Sequence, residues 1–92
     1  MTNLHTGMQV QAHDGRLSMG GIFIYETFHS GEIVKVNDKS IRVRLDSDRR
    51  TTNGKTTSES ATNITATFKF WKHGRDSGKA LYKNAQLGVI KI

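Results

Sequence analysis

The sequence predicts an all-β domain: a small, partly open barrel of five to seven strands, with a polar hairpin or loop protruding from it. Three observations carry this. Apolar residues alternate with polar ones far more often than they recur at helical spacing. The chain has nine Gly and no Pro, so its turns must rest on Gly, Asn and Asp, the residues that accept the positive φ of tight hairpins. Its 92 residues make one domain, residues 1–92, with a modest core.

Each element follows from local pattern. Met8, Val10 and Ala12 alternate with Gln9 and Gln11, and Asp14-Gly15 then reads as a turn. Gly20-Gly21 marks a bulge or bend before Ile22 to Phe28, a stretch rich in aromatic and β-branched residues. His29-Ser30-Gly31 reads as a turn, Ile33 to Val36 as a strand, and Asn37 to Ser40 as another turn. Ile41-Arg42-Val43-Arg44-Leu45 is the cleanest alternation, with three apolar side chains on one face and two arginines on the other. Ile64, Ala66, Phe68 and Phe70 repeat it against Thr65, Thr67 and Lys69. Gly74 to Gly78 reads as a loop, and Lys79 to Asn84 allows a single helical turn. Leu81-Tyr82 and Leu87 to Ile92 read as short closing strands. The expected core is Met8, Val10, Ile22, Ile24, Val34, Val36, Ile41, Val43, Leu45, Ile64, Phe68, Phe70, Leu87 and Ile90.

Residues 46–61 are either a polar arm or a mobile loop, because polar hairpins without a packed face are marginal. Asn53-Gly54 is a strong hairpin signal. If it is a two-residue turn, Thr52 opposes Lys55, and the ladder places Val43 opposite Ile64, Ile41 opposite Ala66 and Arg42 opposite Thr65. The apolar faces then match, as one buried side requires. Asp48 would oppose Glu59, a mildly unfavourable pair.

Charge is unevenly distributed. Residues 1–34 hold Arg16 against Asp14, Glu26 and Glu32, whereas residues 35–92 hold 13 Lys and Arg against five acids, for a net charge of +6. So small a domain displays that excess on its surface, and a basic surface suggests an acidic partner. The leading expectation is a non-enzymatic nucleic-acid-binding module, for RNA or DNA. Arg42, Arg44, Arg49, Arg50, Lys55, Lys69 and Lys72 would contact phosphate, and Trp71 would stack on an unpaired base. In the competing structural role, Trp71 plugs the end of a small barrel. The alternative function is protein interaction with an acidic surface, or assembly as a homo-oligomer through strand edges.

Other chemistry finds little support. There is no Cys, so no disulfide or thiolate site forms, which fits a cytoplasmic protein. His5, His13, His29 and His73 have no metal-ligand spacing. Asp46-Ser47-Asp48 lacks the glycine and distal Glu of a calcium loop. Gly74-Arg75-Asp76-Ser77-Gly78-Lys79-Ala80 has glycines too close for a phosphate loop, and Ala80 replaces the magnesium-holding hydroxyl. No nucleophile with a base and an orienting acid is visible. No enzyme activity, cofactor or metal is therefore expected. The N-terminus lacks a secretory pattern, no segment reaches the ~20 apolar residues of a spanning helix, and no membrane partner is expected.

Gly7-Met8-Gln9-Val10-Gln11-Ala12, Gly31-Glu32-Ile33-Val34-Lys35-Val36 and Ile41-Arg42-Val43-Arg44-Leu45 together resemble the small SH3-type barrels of the KOW and Tudor groups. The resemblance covers residues 7–45. It implies an SH3-like barrel and, from the KOW side, binding of RNA or of a transcription or translation partner. The polar insertion at 46–61 departs from a minimal barrel. An oligonucleotide-binding-fold barrel is the second choice of architecture.

Overall fold

The computed structural model describes residues 4–18, 20–71 and 80–92. They form six strands: β1 (Gln9–Leu17), β2 (Ile24–Val36), β3 (Ser40–Thr52), β4 (Lys55–Phe70), β5 (Leu81–Asn84) and β6 (Gly88–Lys91). The strands follow one another around a closed barrel, each antiparallel to its neighbour, and β6 returns to β1. This simple meander is consistent with a small SH3-like barrel and not with the Greek-key order of the oligonucleotide-binding fold.

Strand length shapes the molecule. β5 and β6 have four residues each, while β2, β3 and β4 have 13, 13 and 16. Among the described residues β6 pairs with β1 at Ala12 and His13, and β5 pairs with β4 at Lys69 and Phe70. The barrel is closed there, not partly open as expected. The rest of β1–β4 runs on as a projecting sheet. Residues 46–61 lie in β3, β4 and their turn, but the arm also includes β1 and β2, so it has four strands where a lone hairpin was expected. That width supplies the neighbours a polar hairpin lacks.

The core is Ala12, Ile33, Ile41, Val43, Leu45, Phe68, Tyr82 and Ile90, with Met8, Val10, Ala66 and Leu87 packed against it. Burying each large side chain contributes about 1.5–3 kcal/mol before entropy is counted. Six expected core residues are instead exposed: Ile22, Ile24, Val34, Val36, Ile64 and Phe70. A register shift between Ile33 and Lys35 leaves Val34 unpaired and turns Ile33 inward. Ile22 and Ile24 lie toward the end of the arm, beyond the barrel. Ile64 sits on a part of β4 that β5 does not reach. Phe70 is partly covered by the Tyr82 ring, 5.5 Å away.

The turns also differ. Asp14-Gly15 lies inside β1 and His29-Ser30-Gly31 inside β2, because the two strands pair without a break from Gln9–Glu32 to Leu17–Ile24. Residues 81–84 are strand, where a helical turn was allowed. The expected loop at 74–78 lies outside the described residues. Asn53-Gly54 is the β3–β4 turn, with φ of 50° and 81°, the left-handed pair that such a turn needs. Asn53 also ties it to β2: its N–H donates to the Ile24 carbonyl and its Oδ1 accepts from the Ile24 N–H, both at 2.8 Å.

Candidate nucleic-acid interface

β3 and β4 pair as the Asn53-Gly54 turn dictates near Thr52–Lys55, but the ladder slips twice. One shift falls between Arg50 and Thr51 and one between Leu45 and Ser47. The barrel register is thus Val43–Ala66, Ile41–Phe68 and Arg42–Thr67, two residues from the expected one. Two single slips preserve the parity of the faces, so Arg42 and Arg44 still point outward. The slips also place Glu59 opposite Arg49, not opposite Asp48, which replaces a repulsive pair with an attractive one.

On the outer barrel face a band of cations crosses four strands. Lys35 on β2 lies directly opposite Arg42 on β3. Arg42 opposes Thr67, and Lys69 stands two residues further along β4, opposite Lys83 on β5. Lys35, Arg42 and Lys69 are in no ion pair among the described residues. Trp71 follows the end of β4 with 40% of its surface exposed. Its N–H donates to the Leu81 carbonyl at 2.8 Å, which fixes the backbone beneath the ring. The Lys83 ammonium sits 5.2 Å from the ring centroid, a cation–π arrangement.

The remaining sequence-predicted cations are elsewhere. Arg44 shares the face but is paired with Glu32. Arg49 lies over the Phe28 ring at 4.6 Å, and that ring stacks on His13 at 4.9 Å. Arg50 falls on the opposite face of the arm by alternation, and Lys55 starts β4 at the far turn. Lys72 lies outside the described residues. Of the predicted set, the fold brings together Arg42, Arg44, Lys69 and Trp71. It adds Lys35 and Lys83, which sequence reading passed over. Their signal was present: each sits at an exposed strand position, but their cross-strand partners depend on bulges and on closure by β5.

Two carboxylates hold the histidines of the arm, His13 Nε2 to Glu26 and His29 Nδ1 to Asp48, both at 2.6 Å. Burial pushes the Tyr82 hydroxyl up from its ordinary pKa of 10.0, because a phenolate there would lose hydration. No family model matches the chain, and no curated protein or solved structure matches it.

Proposed function

We propose that this domain is a non-enzymatic nucleic-acid-binding module whose contact surface is the outer face of β2–β5. One observation carries the reading: two like-charge pairs, Lys35–Arg42 and Lys69–Lys83, stand directly opposite one another beside an exposed Trp71. Directly opposed like charges destabilise a sheet, and a polyanion lying across them relieves that repulsion. Trp71 offers a stacking ring at the end of the band, which favours an unpaired base. The KOW-type resemblance of residues 7–45 points to RNA as the first ligand to try.

The test is binding of mixed-sequence single-stranded RNA and of duplex DNA between about 50 and 200 mM salt. Four phosphate contacts give a single-strand salt slope of about −3, or roughly a fiftyfold loss across that range. Replacing Trp71 with alanine should weaken single-strand binding by about 1–3 kcal/mol. Absence of binding at the low-salt end, or tight binding with no salt slope, refutes the reading.

A second reading rests on β4. Among the described residues β5 pairs with it at Lys69 and Phe70, and Asn84 Nδ2 reaches the Thr67 carbonyl, which leaves a long stretch of strand edge before Thr67 for pairing with another chain. A stable oligomer in light scattering that occludes Arg42 and Trp71 would favour it.

A further inference from the structure

The end of the arm remote from the barrel carries apolar side chains that nothing among the described residues covers. Leu17 and Ile22 are 70% and 72% exposed, and Phe23, Ile24 and Tyr25 are each close to half exposed. The Phe23 and Tyr25 rings stack with centroids 6.1 Å apart. Five exposed apolar residues within nine positions exceed the scattered singles of an ordinary surface.

Four backbone donors around the tip, those of Ser18, Gly21, Phe23 and Ile24, are used internally. Ser18 N–H donates to the Phe23 carbonyl, Gly21 N–H to the Ser18 carbonyl and Phe23 N–H to Ser18 Oγ, each at 2.9 Å. Ile24 N–H donates to Asn53 Oδ1 at 2.8 Å. Such closure matters most where the surroundings offer no water. Behind the tip lies an open groove of about 490 Å³, lined on its cationic and hydroxyl side by Arg16, Tyr25, Thr27, Arg50, Thr52 and Thr57. Asp14 and Glu26 also border it, and Glu26 is engaged by His13. Neither Arg16 nor Arg50 is in an ion pair among the described residues.

Apolar residues at a projecting end, the Tyr25 ring at their base and free arginines set back from them match the layering of a bilayer surface. We propose that the β1–β2 tip docks on a bilayer rich in anionic phospholipid. Leu17, Ile22 and Phe23 enter the headgroup–acyl boundary, and Arg16 and Arg50 receive lipid phosphates. This contact needs no spanning segment; among the described residues no helix is long and apolar enough to cross a membrane. It adds a partner that composition gave no reason to expect, and it does not depend on the nucleic-acid face.

The experiment is co-sedimentation of the full chain with vesicles of phosphatidylcholine containing about a third phosphatidylglycerol. It is joined by fluorescence of Phe23→Trp in a Trp71→Phe background against the same vesicles made with brominated acyl chains. The wild type should pellet. Ile22→Ser with Phe23→Ser should weaken pelleting about tenfold or more with an unchanged thermal melt. Arg16→Gln with Arg50→Gln should weaken it and reduce its salt dependence. Brominated lipid should quench the tryptophan at position 23. The proposal is overturned if the serine variant pellets like wild type, which would mean that the basic barrel face alone holds the vesicle. It is equally overturned if bromine does not quench, if inorganic phosphate competes away all binding, or if light scattering shows a dimer that the serine variant dissolves while no vesicles are bound.

Discussion

Replacing Gly31 with alanine should destabilise this domain by about 3–5 kcal/mol. Gly31 is fully enclosed between β1 and β3, opposite Val10 on one side and Leu45 on the other, and beside a register shift. A Cβ there would lie 2.8 Å from both the Arg44 carbonyl carbon and Leu45 Cα, and closer still to the Arg44 carbonyl oxygen. These are backbone atoms, so no side-chain rotation relieves the overlap. Ordinary contact begins near 3.4 Å, so β2 and β3 would separate by roughly 1 Å. A gap of that size forfeits a quarter to a half of the dispersion at the seam and breaks one or two ladder hydrogen bonds. The total stability of a chain this size is about 5–14 kcal/mol, so the variant would lose a large part of it. Thermal melts followed by circular dichroism should show Tm falling by about 15 °C or more. Two controls bracket the effect. Gly15→Ala meets only the His13 ring at 3.6 Å and should be neutral or slightly stabilising. Gly54→Ala has open space but a φ of +81° and should cost about 1 kcal/mol. A Gly31→Ala protein melting within about 3 °C of wild type would show that β2 and β3 do not approach at this point, and the steric argument would be wrong.

Three further outcomes are expected. In nucleic-acid titrations, Arg42→Gln should weaken binding and reduce the salt slope by about one, while Arg44→Gln should change little because Glu32 already occupies its guanidinium; Glu32→Gln should tighten binding by releasing it. Thr51→Val should raise Tm, since the Thr51 hydroxyl is buried with no hydrogen-bond partner and an isosteric apolar group removes an unmet desolvation cost of about 1–3 kcal/mol. Tyr82 has a raised folded pKa, so its contribution to stability is complete below pH ~10 and is lost as pH climbs through the folded value; alkaline melts of Tyr82→Phe should decline less steeply than wild type, and parallel curves would refute that assignment.

Much of the fold is legible in the sequence because its rules are local. Alternation places Ile41, Val43 and Leu45 inward and Arg42 and Arg44 outward, and the structure keeps this. Asn53-Gly54 fixes its turn because few residues accept two successive positive φ values. Asp14-Gly15 misleads because the same dipeptide fits a strand when a partner strand continues beside it. The burial of Ile33 in place of Val34 was not legible, since a bulge shifts the phase of alternation without changing composition.

By itself the sequence determined the all-β class, the main turn, the parity of the charged strand and the excess of cations in the second part of the chain. These depend on propensity and period, which short stretches encode. Only the tertiary structure decided that the barrel closes, that the arm has four strands, and that Lys35 and Lys83 join Arg42, Lys69 and Trp71 in one band. Those outcomes depend on which strands meet and where the ladder slips, and on how far the short β5 and β6 reach along their longer neighbours. Most are relations between residues distant in the chain, set by packing across the barrel; even Lys35 and Arg42, seven positions apart, meet through a register shift that no local pattern carries.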